Sequence, residues 1–307
     1  MKRTPEFDAF GPWVFQVRNP EDVPRLYRNH PVDLAAAHLV LKVPRSIERR
    51  NANPDMDLYD HLLVAGPSSL TVLSRRGDAY LTTEVPYARV AAVHLSVDLL
   101  DGLLRVYDTA ATVPDGKAVE VSYNGVSHDL LTKLAEILRT EGLATAPSVA
   151  VPPAPSTPPI TLSLRDLGDG DIALVSAQHE FAEREGLTTW ATHQRALLRR
   201  RSGAFRGLRD TLLPMSMQAA VVSTGPGELH VVHRRHWFTT GRKPVHSVAH
   251  TVVLLPRVTG AEVTEWPAYL GADVMWVTSG ISVIELPFPH SAETGDVMRS
   301  VLGVHAR

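Results

Sequence analysis

Two stretches of this 307-residue chain, 159 positions apart, spell nearly the same phrase. Leu70, Val72, Arg75 and Arg76 recur as Leu229, Val231, Arg234 and Arg235, giving L-x-V-x-x-R-R in each half. Leu81-Thr82-Thr83 returns as Phe238-Thr239-Thr240, and Pro86 with Val90-Ala91 returns as Pro244 with Val248-Ala249. Upstream, Leu58 to Leu63 parallels Leu208 to Leu213, each with an Asp two residues in. A repeat of this length implies a doubled unit and governs every other reading of the chain. Its letters are those of strands and turns, with no nucleophile, metal-ligand set or phosphate loop among them.

Between the copies lies Thr145 to Pro159, where Pro147, Pro152, Pro153, Pro155, Pro158 and Pro159 alternate with small residues. Such a run supports neither helix nor ladder and favours extended polyproline II, so it reads as a semi-rigid spacer. The expected division is therefore 1–144, a first domain with an N-terminal extension; 145–159, a linker; and 160–307, a second domain.

In the first half the pattern turns period-two from Leu70. It continues through Tyr80 to Val85, Ala88 to Val97, Leu103 to Tyr107 and Ala118 to Tyr123. Leu130, Leu131, Leu134, Ile137 and Leu138 fall at helical spacing, with Ser127 or Asp129 as N-cap and Gly142 after the end. Pro20 to Arg28 reads as a short helix. The second half opens on a helix from Ile172 to Gly186. A hairpin is expected over Gln218 to Val222 and Glu228 to His233 around Gly225-Pro226-Gly227. Strands at Trp237 to Thr240, Val245 to Leu254, Val274 to Thr278 and Ile281 to Leu286 lead to a last helix at Ala292 to Leu302. The fold class is thus α+β: two similar domains, pseudo-two-fold related, each a mostly antiparallel sheet closed by a C-terminal helix.

The first copy carries a "LTVLSRR" strand, then Val85-Pro86-Tyr87-Ala88-Arg89-Val90, a meander and an amphipathic helix. Over 60–140, and less securely over 208–303, this resembles the bacterial pleckstrin-homology-like (PH-like) domains, in which a bent antiparallel sheet is plugged by a C-terminal helix. The resemblance implies a tandem binding or scaffolding module without catalytic residues, oligomeric or attached to a membrane-linked assembly. The second copy departs by nine inserted residues before its L-x-V-x-x-R-R element, which leaves its strand order open.

Composition narrows the chemistry. The formal net charge is −2, so no global field argues for nucleic acid or for a uniformly charged partner. The absence of cysteine excludes disulfides, thiolate catalysis and cysteine-based metal sites. No run of 18 uncharged apolar residues occurs, and the first residues do not form a signal peptide. A cytoplasmic protein, free or peripheral to the inner face of the membrane, is expected.

Two arginine sets are the candidate binding residues. Arg195, Arg199, Arg200, Arg201, Arg206 and Arg209 form a basic stretch with interleaved Leu197, Leu198, Phe205 and Leu208, suited to phosphate or anionic lipid. Against this stands a solvated face produced by arginine-rich coding, since 26 of the 31 basic residues are Arg. Arg75, Arg76, Arg234 and Arg235 are the partner-binding candidates. Neighbours on a strand face opposite ways, so one Arg of each pair reaches outward while the other packs its stem or pairs with an acid.

His230, His233 and His236 form H-x-x-H-x-x-H, but alternation on a strand sends His233 to the opposite face from the other two. No metal site, cofactor or catalytic residue is therefore assigned. Gly168-Asp169-Gly170-Asp171 reads as a helix-entry turn, and Asp60, repeated as Asp210, as a cap. The expected activity is non-enzymatic: engagement of a protein partner or of an identical chain, with an anionic membrane surface next and nucleic acid unfavoured. The rival is a hydrolase-type enzyme with its site in an inter-domain crevice.

Overall fold

The computed structural model describes residues 4–111, 116–147, 155–201, 214–241 and 246–303. The chain divides into two units: Met1–Asp108 with Lys117–Ala146, and Thr109–Gly116 with Pro147–Arg307.

Unit 1 begins with a short helix α1 (Pro5–Ala9), started by Thr4, whose hydroxyl accepts from the Phe7 N–H. A first antiparallel sheet follows, ordered β1 (Phe15–Gln16), β2 (Leu39–Pro44), β3 (Tyr59–Ala65), β4 (Ser69–Arg76) and β5 (Ala79–Pro86). After a 3-10 turn at Tyr87–Arg89, β6 (Val90–Asp98), β7 (Asp101–Asp108) and β8 (Lys117–Asn124) pair antiparallel in sequence order. Helix α2 (His128–Ala144) closes the unit, burying Leu131, Leu134, Ala135, Leu138 and Gly142 at helical spacing. It runs two residues past the expected stop at Gly142, which is buried and tolerated inside the helix.

The expected helix at Pro20 to Arg28 is instead two 3-10 turns, Pro20–Asp22 and Arg25–Tyr27. Pro24 accounts for the break: it lacks an N–H and pushes the preceding Val23 into extended backbone. The segment is nonetheless structural. Phe10, Val17, Val23 and Tyr27 pack on Val40, Leu58, Tyr59, Leu62 and Leu73, covering one face of the first sheet.

Unit 2 opens on α3 (Ile172–Glu185), ended by Gly186 in the left-handed region. Its strands are β9 (Thr188–His193), β10 (Ala196–Arg200), β11 (Met215–Met217), β12 (Ala220–Gly225), β13 (Glu228–His233), β14 (Phe238–Thr240), β15 (Val248–Leu254), β16 (Gly260–Glu265), β17 (Tyr269–Leu270), β18 (Ala272–Ser279) and β19 (Ser282–Pro289), followed by helix α4 (Glu293–Leu302). A four-stranded set runs β9, β12, β13, β15, and a three-stranded set runs β16, β18, β19. The strands β14, β11, β10 and β17 form a further small sheet. Pro226-Gly227 turns the β12–β13 hairpin, with Gly227 at φ 78°. Leu162, Leu167, Leu174 and Val175, from α3 and the segment before it, cover Ala219, Val221 and Val232.

The chain is α+β with mostly antiparallel sheets. One detail of the sequence repeat is corrected. Leu81-Thr82-Thr83 lies in β5 beside β4, whereas Phe238-Thr239-Thr240 is β14 and pairs with β11, not β13. Phe238 is drawn there by Trp266 and Tyr269, with ring centroids 4.7 and 5.7 Å away. The place beside β13 goes to β15. No helix among the described residues is long and apolar enough to cross a membrane.

Candidate functional site

In unit 1 a cleft of about 440 Å³ opens where one face of β3, β4 and β5 meets β8. Period-two alternation places Val72, Ser74 and Arg76 of β4 on that face together, joined by Leu81 and Thr83 of β5 and by Glu120 and Ser122 of β8. His61 and Asp60 of β3 both line it, although neighbours on a strand normally part. The cause is a β-bulge: Val43 pairs with His61 and Pro44 with Tyr59, so Asp60 is the extra residue. Pro44, which has no N–H to give the ladder, sits at that irregularity. From the covered face the Tyr27 hydroxyl donates to the backbone oxygen of Asp60 at 2.9 Å and also approaches that of Tyr59 at 3.3 Å, holding the bulge.

His61 and Ser74 are cross-strand partners, and Nδ1 shares a hydrogen bond with Oγ at 3.0 Å. Burial holds the imidazole below its ordinary value, with Arg76 and Arg75 adding to the depression and Asp60 opposing it, so His61 is neutral at pH 7. The two acids of the cleft are compensated. Asp60 accepts from Arg75 Nε at 2.9 Å, with Arg45 Nε 4.0 Å away, and Glu120 accepts from Arg105 Nε at 2.6 Å. Arg76 is exposed and has no carboxylate partner among the described residues.

The other expected residues are scattered. Arg234 is the buried member of its pair: Nε donates to Asp171 Oδ1 at 2.9 Å, Nη2 to the same oxygen at 2.5 Å, and Nη1 to the Ser247 carbonyl at 2.6 Å. Arg235 is half-buried, its backbone N–H donating to Ser247 Oγ. Asp171 does sit at the start of α3, but its side chain makes no cap hydrogen bond there because Arg234 takes it. Asp60 is no cap either; it lies within β3. Arg195 Nη2 is 4.0 Å from Asp171 Oδ2. Arg199 and Arg200 end strand β10, Arg199 exposed beside the exposed Leu197, and Arg201 Nη2 donates to Glu265 at 2.5 Å. Arg206 and Arg209 lie outside the described residues. The structure thus places Arg76 in the cleft, with Arg75 bound to its Asp60, and leaves the 195–201 arginines spread along one strand and its end.

Compared with models of protein families, with curated proteins and with solved structures, the chain finds no match. The cleft itself is the guide to function.

Sequence reasoning missed His61 and Ser74. The signal was Gly66-Pro67-Ser68: closing a hairpin there sets Ala65 against Leu70, and counting back sets His61 against Ser74. Reading Asp60 as a helix cap hid that strand. Of the H-x-x-H-x-x-H set, His233 is separated from His230 as alternation requires. His233 instead stacks on Trp237, ring centroids 3.9 Å apart, and hydrogen-bonds Thr251.

Proposed function

We propose that the chain is a non-enzymatic recognition protein built from two copies of one PH-like module, and that the unit 1 cleft receives an acidic group presented by a protein partner or by another copy of the chain. One observation carries the reading: of the charged groups lining the cleft, both carboxylates are already matched by Arg75 and Arg105, while the Arg76 guanidinium is open. A guanidinium beside a neutral imidazole and the hydroxyls of Ser74, Thr83 and Ser122 supplies donors for carboxylate or phosphate.

Duplication is supported by the order of elements. In each unit an antiparallel set that contains the L-x-V-x-x-R-R strand, β1 to β5 in unit 1 and β9, β12, β13 and β15 in unit 2, is followed by a 3-10 turn, a three-stranded antiparallel set and a helix, with β10, β11, β14 and β17 as additional strands of unit 2. The turns read Tyr87-Ala88-Arg89-Val90 and Leu255-Pro256-Arg257-Val258. In each unit a segment near the start of the unit covers one face of that set.

The Ser74–His61 contact invites a hydrolytic reading, which the strand disfavours. Ser74 pairs with His61 on one side and Leu81 on the other, so its N–H is committed to the ladder and not to a developing oxyanion beside Oγ. The test is NMR titration of the full chain with inorganic phosphate. Saturable shifts of the His61 ring signals are expected, weakened about tenfold or more by Arg76→Glu and little by Ser74→Ala. Identical titrations for wild type and Arg76→Glu would reject the reading, and ester hydrolysis lost in Ser74→Ala would establish the rival.

A further inference from the structure

A second hollow in unit 1 shares no lining residue with the cleft of β3, β4, β5 and β8. It measures about 730 Å³ and opens between the stretch Arg18 to Arg28 and the stretch His30 to Ala35. Its floor is apolar. Val23 is buried, Val32 and Leu34 are half-buried, and all three belong to the packing that covers the first sheet. Its polar lining consists of Arg18, Arg28, His30 and one carboxylate, Asp33.

The carboxylate is already satisfied locally: Asp33 Oδ1 accepts from the Ala35 N–H at 3.0 Å and from the Ala36 N–H at 3.1 Å. The guanidinium groups are not matched in the same way. Among the described residues the Arg18 side chain makes no hydrogen bond or ion pair. Arg28 is anchored at its base, Nε donating to the Val23 carbonyl at 3.1 Å. Its Nη2 stands 4.0 Å from Glu6 Oε2, beyond hydrogen-bond reach, and that oxygen already accepts from the Arg25 N–H at 3.0 Å. The walls are preformed. Asp22 Oδ2 accepts from the backbone N–H groups of Arg18 and Asn19 at 3.3 and 3.1 Å, and Lys42 Nζ of β2 donates to the Asp22 carbonyl at 2.8 Å. Opposite, the His30 N–H donates to the Tyr27 carbonyl at 2.9 Å, and its ring meets Tyr80 of β5 edge-on at 5.9 Å. Pro20, Pro24 and Pro31 fix the backbone between these ties. A hollow held in this way loses little freedom when it is filled.

We propose that this hollow binds an amphiphilic small-molecule anion, its apolar body lying on Val23, Val32 and Leu34 and its carboxylate or phosphate head met by Arg18 and Arg28, with His30 as a further donor at the rim. The size is that of small-molecule sites, about 300–1,000 Å³, and an apolar lining with a few placed polar groups is their pattern. Guanidinium accepts either head group in bidentate fashion, so the head is read by experiment. The inference goes beyond the acidic-group reading of the other cleft and stands or falls without it.

The experiment is calorimetric titration of the full chain with decanoate, decyl phosphate and decanol, each below its micellar concentration. One saturable site per chain is expected for at least one of the two anions, and the anion that binds more tightly identifies the head group. Decanol, which has the body without the charge, should bind about tenfold or more weakly. Arg18→Gln and Arg28→Gln should each weaken the anion about tenfold, and Leu34→Asp should weaken anion and decanol alike. Circular dichroism verifies that each variant folds. Should Arg28→Gln or Leu34→Asp fail to fold, Arg18→Gln, whose exposed side chain bonds nothing among the described residues, carries the test. Arg76→Glu, in the other cleft, should leave anion affinity as in the wild type. The proposal is overturned by decanol binding as tightly as the anions, by anion affinity unchanged in both arginine variants, by anion affinity lost in Arg76→Glu, or by no saturable binding of either anion.

Discussion

Buried polar side chains give unit 2 its sharpest dependence on conditions. His193 donates Nε2–H to the Gln218 carbonyl, and its Nδ1 accepts from the Thr294 hydroxyl. His233 donates Nδ1–H to the Arg234 carbonyl, and its Nε2 accepts from Thr251. Both rings are held neutral: burial pushes His193 down to about 4 and His233 down to about 3, the backbone bonds opposing only weakly. In the unfolded chain each titrates near 6.5. Between that value and the folded one the unfolded state binds the extra proton, so stability falls as pH falls. At pH 5 each ring should subtract about 2 kcal/mol, from roughly 1.5 pK units at 1.36 kcal/mol per unit. Urea unfolding at pH 7 and pH 5 measures the loss, and in His233→Asn the difference between the two should shrink by about 2 kcal/mol. An undiminished difference in that variant would show that the buried ring is not responsible. None of these partners was legible in the sequence, where His233 was one letter of a spaced triplet. Alternation placed it on the right face, but its hydrogen-bond partners come from residues 1 and 18 positions away, and only a known register brings them together.

Among the elements, β7, β8 and the start of α2 are locked by one ring. Tyr123 crosses over Gly102, its strand partner, and its hydroxyl lies 2.8 Å from His128 Nδ1 and 3.3 Å from the Ser96 carbonyl. A Cβ on Gly102 would stand 2.2 to 2.6 Å from ring atoms of Tyr123. The ring is tethered at its far end, so it cannot swing clear without giving up those bonds. Gly102→Ala should therefore cost about 1–3 kcal/mol, as overpacking does, read as a lower thermal midpoint, and Gly102→Ala with Tyr123→Leu should recover part of it. A single variant as stable as wild type would mean that the ring yields freely. The strands themselves were largely readable. The sequence pattern gave strands β4 to β8, β12 to β15, β18 and β19 and helices α2, α3 and α4. The extension at Pro20 to Arg28 was misjudged because Pro24 breaks one helix into two turns. The role of Phe238 was misjudged because its partners, Trp266 and Tyr269, are distant in sequence and no local pattern announces them.

In both units a segment near the start covers one face of an antiparallel set. In unit 1 this arrangement ties the cover to the cleft. Tyr27 lies in the cover, is fully buried, stacks edge-on with Tyr80 at 5.4 Å, and bonds the carbonyl of Asp60 inside the bulge that turns Asp60 and His61 the same way. Removing the hydroxyl keeps the packing but frees the bulge; removing the ring opens the core. Tyr27→Phe should thus lower stability by about 1 kcal/mol, the net worth of a hydrogen bond, and also weaken phosphate binding at His61 and Arg76. Tyr27→Ala should cost about 3–5 kcal/mol, as large-to-small changes at buried rings do. Chemical denaturation gives the first quantity and the phosphate titration the second. The informative comparison is between them: if Tyr27→Phe loses stability yet binds phosphate as the wild type does, the bulge keeps its shape unaided and the N-terminal segment is cover alone. A loss of both, with the Arg76 dependence preserved, means that the orientation of the cleft is set from the opposite face of the sheet.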